Sequence, residues 1–203
     1  MEKVFAIILA AGASSRLGFN KLTVAIDGES VIRRSVKPFL IKEIHKVMVV
    51  TGHNHRSIEK ELEGLEVNLI HNPHYKKGMS TSVKASIPYI EGAEALLFHL
   101  GDKPLITSRD VLAVLNRYMS DNARIVAPFH NGKKGHPVMI DAALLRAETG
   151  MLHGDNGLRE VIEKYRRDMV FIEGNDGNLF DIDTIQAIDQ LRERGYRVEE
   201  NKC

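Results

Sequence analysis

Short apolar runs rich in Val, Ile and Leu recur along the chain at VFAIILA (4–10), KVMVVTG (46–52), VNLIHN (67–72), ALLFHLGD (95–102), RIVAPF (124–129), PVMI (137–140) and DMVFIE (168–173). Several are apolar at successive positions instead of alternate ones, the pattern of strands covered on both faces. The segments between them have helical period. Residues 30–41 place apolar side chains at 32, 36, 39 and 40, a stripe along one helix face, with Pro38 blurring where it ends. Segments 54–62, 80–90, 108–119, 156–165 and 184–194 also read as helices, several opened by a Ser or Asn cap. Strand and helix in alternation predict a three-layer α/β/α, Rossmann-like fold around a mainly parallel mixed sheet.

With 203 residues, 43% of them hydrophobic, the chain suffices for one well-buried core and is short for two ordinary domains, so one domain over 1–203 is expected. Lys plus Arg number 28 against 27 Asp plus Glu, so charge balance points to neither nucleic acid nor a membrane surface as partner. Any phosphate binding must be local. The single cysteine, Cys203, excludes an internal disulfide framework and fits a reducing compartment. The first apolar run has the length of a secretion signal, but Glu2 offsets Lys3 and the run passes directly into a patterned loop. No stretch is long enough to span a bilayer, and a cytoplasmic protein is expected.

Ligands of such sheets sit beyond the carboxyl ends of the strands. There the chain carries AGASSRLGFNK, NPHYKKGMSTS, GDKP, HNGKKGHP and, near its end, FDIDT. The first loop is not a dinucleotide fingerprint, because Gly12 is followed by Ala13 and Ser14. Nor is it a P-loop, since Leu17, Gly18 and Phe19 stand where Gly-Lys-Ser/Thr would be required. It still offers small residues for close backbone approach, hydroxyls, the Arg16 guanidinium and the Lys21 ammonium, a set suited to phosphate oxygens. An ordinary strand-to-helix turn with a solvated Arg and Lys would look the same.

LAAGASSRLGFNK is similar to the LAAGxSxRxGxxK signature of nucleotidyltransferases of the molybdenum-cofactor type. NPHYKKGMSTSV resembles that family's NPxxxxGMxxSV, LGDKPLIT its GDxP, GKKGHPVMI its GxxGHPV, GDNGLRE its GDxGxR, and DIDT its final acidic segment. The matches keep family order from residue 6 to about 189. The resemblance implies the nucleotide-diphospho-sugar transferase type of fold and a reaction that joins CTP to molybdopterin and releases pyrophosphate. Ala11, where guanylyl-transferring relatives resemble LAGG, tilts the base toward cytosine. Three alternatives stay open: GTP on the same acceptor, an NTP on a sugar phosphate or other small alcohol, and an accessory protein that hands molybdopterin to a hydroxylase without catalysis. Transient contact with a molybdenum hydroxylase would follow from the first or last role.

In nucleotidyl transfer an acceptor oxygen attacks the α-phosphorus and pyrophosphate leaves, so catalysis is mostly positioning and charge neutralisation. Under the resemblance, Arg16 and Lys21 hold the triphosphate, with Lys21 nearest the α-phosphate. Leu9, Ala10, Ala11 and Gly12 lie under the nucleotide, and Gly78, Ser80 and Ser82 face the base, although Ser80 could simply cap the next helix. Asp102 is the first expected Mg²⁺ ligand, since Mg²⁺ favours one or two protein carboxylates with waters and phosphates. The second is Asp181 or Asp183, which period-two alternation puts on one side of an extended segment; position within the segment favours Asp181. His136, Asp155 and Arg159 are expected to border the acceptor pocket, with a basic rim from Lys133, Lys134 or Arg159. His71, His74 and His99 lack the spacing of a compact zinc site. Lys103 and the IQAID that follows DIDT depart from the family pattern. A cation at 103 would compete with Mg²⁺ if it pointed inward.

Overall fold

The computed structural model describes residues 3–14, 17–121 and 123–200. Its strands are β1 (Val4–Ala10), β2 (Ala25–Ile26), β3 (Glu29–Ser30), β4 (Lys46–Thr51), β5 (Asn68–His71), β6 (Ala95–Leu100), β7 (Ile125–His130), β8 (Lys133–Lys134), β9 (Val138–Asp141), β10 (Met169–Glu173) and β11 (Val198–Glu199). Its α-helices are α1 (Val31–Val36), α2 (His55–Glu61), α3 (Met79–Ser86), α4 (Ser108–Asp121), α5 (Ala142–Ala147), α6 (Arg159–Lys164), α7 (Asp176–Leu179) and α8 (Ile185–Glu193). The main sheet runs β10-β7-β9-β6-β1-β4-β5, with β8 paired to β7. All pairings among β5, β4, β1 and β6 are parallel, as is β10 with β7, while β9 lies antiparallel between β6 and β7. The expected three-layer, mainly parallel mixed sheet is therefore the one the chain adopts.

The unbroken apolar runs are explained by burial on both faces. Val4, Ala6, Ile8 and Ala10 of β1 join one core with side chains of α1, α2, α4 and α8, including Ile32, Ile58, Val114 and Ile188. Ile7, on the opposite face of β1, joins a second core with Val83 of α3, Leu144 of α5 and Val161 of α6. Successive strand residues point to opposite faces, so only a sheet covered on both sides keeps both sets from water. Because β1 lies between β4 and β6, chain crossovers leave it in opposite directions, and a crevice opens at the carboxyl ends of these three strands.

Several boundaries differ from the sequence expectation for local reasons. Helix α1 stops at Val36 and a 3-10 turn, Lys37–Phe39, takes up Pro38. The helix expected from 156 begins only at Arg159, after Gly157 at φ +55°. Ser30 and Asn54 make no side-chain cap; Asn54 is left-handed at φ +49° and so cannot present the usual extended cap geometry. A small sheet, β11-β2-β3, ties the segment after α8 to the hairpin that follows the first loop.

Candidate functional site

The residues that leave β1, β4 and β6 meet in one cleft. On the β6 side, Gly101 N–H donates to the Leu9 carbonyl at 2.9 Å, locking the GD turn against the end of β1. On the β4 side, His53 N–H donates to the Ala11 carbonyl at 3.1 Å. Gly52 makes that approach possible, since a Cβ there would fall 2.8 Å from the Cβ atoms of both Ala11 and Tyr75. The first loop is braced from within. The Ser14 hydroxyl accepts the Lys21 N–H at 3.3 Å, and the Asn20 side chain accepts the Leu22 N–H at 3.1 Å, starting the 3-10 turn Lys21–Thr23. Leu22 and Thr23 are buried, so the Lys21 backbone is anchored on both sides.

From this anchor the Lys21 ammonium bridges two carboxylates, Asp102 Oδ2 and Asp183 Oδ1. Burial alone would lower its pKa, but Asp102 and Asp183 outweigh that and hold it above the usual 10.5. The register of the acidic segment is set by the Ile182 N–H, which donates to the Asp102 carbonyl at 3.0 Å. Ile182 is fully buried, so period two turns Asp181 and Asp183 together toward the cleft. Asp183 meets Lys21; Asp181 Oδ2 lies 3.3 Å from the Lys103 ammonium.

Leu9, Ala10, Ala11, Gly12 and Lys21 line a cavity of about 290 Å³ together with Ser82, Asp102, Asp155, Asp181 and Asp183. A larger one, about 850 Å³, adjoins it beside Gly12, Ser14, Lys21, His53, Lys76, Lys77 and Gly78. Tyr75 borders both. Sequence pattern alone does not single out Gly52, His53 and Tyr75. Of the three, Gly52 alone carries a weak sequence signal, a glycine that closes the apolar run KVMVVTG.

The expected base-facing segment is joined to the GDNG turn far along the chain. Asp155 Oδ1 accepts the Met79 N–H at 2.9 Å, and Ser80 N–H donates to the Gly154 carbonyl at 3.2 Å. A Cβ on Gly78 would lie 2.3 Å from the Gly154 oxygen, and its φ of +104° is itself a glycine conformation. Ser80 is neither a cap nor turned to the cleft: it is buried, with its hydroxyl donating to the His153 carbonyl at 2.8 Å. Ser82 does reach the smaller cavity, oriented by a 3.0 Å hydrogen bond from Asn72 Nδ2.

Of the residues expected around an acceptor, Asp155 lines both cavities, whereas His136 and Arg159 line neither. His136 is drawn inward because its peptide N–H donates to Asn178 O at 3.0 Å and its carbonyl accepts from Asn178 Nδ2 at 2.8 Å. Its ring packs edge-on to buried His99, 6.1 Å between centroids. Burial, with the Lys103 and Lys134 charges adding to it, depresses the His136 imidazole to about 3. Arg159 opens α6 in an exposed position, and Lys133 and Lys134 form the exposed strand β8, so the basic rim is not assembled at the cleft. Arg16 lies outside the described residues.

A hard divalent cation fits the carboxylates present. Asp102 Oδ1 is shut off from solvent without a hydrogen-bond partner, a costly state for a carboxylate oxygen. Its other oxygen already shares one cation with Asp183. Among the described residues no three His, Cys, Asp or Glu side chains converge as a metal cage. Two carboxylates completed by phosphates and water are how Mg²⁺ is ordinarily held. Nor is any described helix long and apolar enough to cross a membrane.

Residues 6–169 match the model of the MobA-like NTP transferase domain. The chain is 32% identical over 146 residues to the molybdenum cofactor cytidylyltransferase of Escherichia coli (strain K12), covering 71% of this chain and 73% of that one. It is also 26% identical over 201 residues to nicotine blue oxidoreductase of Paenarthrobacter nicotinovorans, covering 93% and 96%. Among solved structures, a nucleotidyl transferase from Methanothermobacter thermautotroptrophicus matches with a TM-score of 0.79 at 22% identity, over 96% of this chain and 98% of that one. The last likeness bears on fold, and agrees with the nucleotide-diphospho-sugar transferase type. The family model spans most of the sequence, from the first strand through the GHPV and GDNG segments, and the chain belongs to the MobA-like NTP transferase family.

Proposed function

We propose that this nucleotidyltransferase joins CTP to molybdopterin and releases pyrophosphate, with Mg²⁺ as its cofactor. The observation that carries the reading is the Lys21 ammonium fixed between Asp102 and Asp183, where the first loop meets the acidic segment. The choice of CTP and molybdopterin draws on Ala11 and on the 32% identical cytidylyltransferase.

In the reaction an oxygen of the molybdopterin phosphate forms a bond to the α-phosphorus of CTP as the bond to the bridging β-phosphate oxygen breaks. Lys21 stands against the α-phosphate and stabilises charge that grows on it and on the leaving pyrophosphate. Small residues Ala10, Ala11 and Gly12 let the nucleotide rest on the end of β1, and the Ser82 hydroxyl is available to a base edge. Asp102 with Asp183 or Asp181 would hold Mg²⁺, which when bound neutralises phosphate charge. Lys76 and Lys77 add positive charge to the larger cavity, where anionic substrate groups gather.

The test is pyrophosphate release by the purified protein with Mg²⁺ and CTP, GTP, ATP or UTP, with and without molybdopterin. Release with CTP that requires molybdopterin is expected, and Asp102→Ala should reduce it by at least about 10²-fold. Preference for GTP would overturn the base assignment. Absence of turnover with every nucleotide, with molybdopterin still bound by Asp102→Ala, would favour a carrier.

A further inference from the structure

The family-like acidic segment offers two aspartates, and the residue that separates their roles is the atypical lysine of GDKP. Lys103 follows Asp102 directly, yet its side chain is only 6% exposed while its partner Asp181 is 44% exposed. It runs beneath the acidic segment. The ammonium donates to the Leu179 carbonyl at 2.6 Å and meets Asp181 Oδ2 at 3.3 Å. At its other end the Lys103 N–H donates to the Leu100 carbonyl at 3.3 Å, and its own carbonyl lies 3.3 Å from His99 Nε2. The side chain is therefore tied at backbone and tip, and it clips residues 179–181 to the end of β6.

Asp181 and Asp183 leave the same extended segment on the same side, but meet different lysines: Asp181 the buried Lys103, Asp183 the Lys21 that it shares with Asp102. We infer that Lys103 is a positioning residue that engages Asp181, while Asp183, which converges with Asp102 on Lys21, is the carboxylate that acts with Asp102. The inference rests on the nucleotidyl-transfer reading. It also answers how a cation can sit beside the metal aspartate without displacing the metal, since Lys103 spends its charge on Asp181 and on a carbonyl. It reverses the preference for Asp181 drawn from position in the segment.

The test is Mn²⁺ binding in the presence of CTP, followed by the electron paramagnetic resonance of free Mn²⁺, with the full chain and its variants. Asp102→Ala and Asp183→Asn should each weaken Mn²⁺ binding more than about tenfold, and Asp181→Asn less than about threefold. In a Lys103→Met background Asp181 is released, so adding Asp183→Asn should cost less than about threefold; a lysine that merely stabilises the fold would leave the Asp183 effect unchanged. If Lys103→Met fails to fold, the Asp181→Asn and Asp183→Asn pair still decides which carboxylate acts with Asp102, because both variants keep the Lys103 hydrogen bond to the Leu179 carbonyl. Loss of Mn²⁺ in Asp181→Asn equal to that in Asp102→Ala overturns the role of Lys103 and leaves the transfer reading standing. Equal Mn²⁺ binding by wild type and Asp102→Ala overturns both.

Discussion

At the scale of single residues, Lys21 ties the first loop to Asp102 and to the acidic segment. Its backbone is anchored by Ser14 and Asn20, and its ammonium has two carboxylates to hold it, so little reorganisation is left when charge develops nearby. Lys21→Met should lower kcat with CTP about 10²–10³-fold, measured as pyrophosphate release at saturating CTP, with a smaller change in KM. Because Asp102 and Asp183 hold its pKa above the ordinary 10.5, the wild-type rate should show no alkaline fall attributable to this lysine below that pH. A titration of kcat that drops near pH 9 and loses the drop in Lys21→Arg would sink that view of the site. The family resemblance of two strand-end loops brought Lys21 and Asp102 forward as candidates, and the fold brings their side chains together. The same logic misplaced His136, whose neighbour in space is Asn178, 42 positions away.

At the scale of elements, the start of α3 and the 153–155 turn behave as one unit. Gly78, Met79 and Ser80 supply the donors and the bare Cα; His153, Gly154 and Asp155 supply the acceptors. Both segments could be read as motifs, but not their mutual packing: seventy-odd residues separate them, and periodicity reports one element at a time. That is why Ser80 looked like a cap or a base contact when a distant carbonyl takes its hydroxyl. Gly78→Ala must adopt φ +104° and place a methyl against the Gly154 oxygen. The conformation alone costs about 1–3 kcal/mol, and the displaced turn carries Asp155 with it. We expect a drop of that size in urea-unfolding free energy together with weaker CTP binding by calorimetry. A variant as stable and as tight as wild type would show that the two segments are not coupled.

The whole molecule repeats this division between what is local and what is not. The seven apolar runs each became a strand within a residue or two; in the central strands burial on both faces leaves an unbroken apolar composition, while the edge strands β5 and β10 are only partly buried. The antiparallel sense of β9 and the contact of buried His99 with half-buried His136 come only with the assembled sheet. His99 and His136 each leave Nδ1 buried without a partner, in a region that also holds the Lys103 cation. Burial comes first among the causes that hold both imidazoles below the ordinary 6.5, His136 at about 3. In the unfolded chain His136 takes up a proton near pH 6.5 that the folded chain refuses until about pH 3, so the unfolded state binds more protons between those values and stability falls as pH falls. The contribution is fully present above 6.5. From pH 7.5 to 5.0 the loss through His136 should be about 2 kcal/mol, a figure governed by the unfolded pKa because pH 5.0 still lies above the folded one. His99 acts in the same direction. Urea unfolding of wild type and His136→Gln at the two pH values measures the difference directly: the glutamine variant should lose about 2 kcal/mol less than wild type over this interval. Equal losses would mean that His136 is protonated in the folded protein at pH 5.0, and that its buried surroundings accommodate the charge.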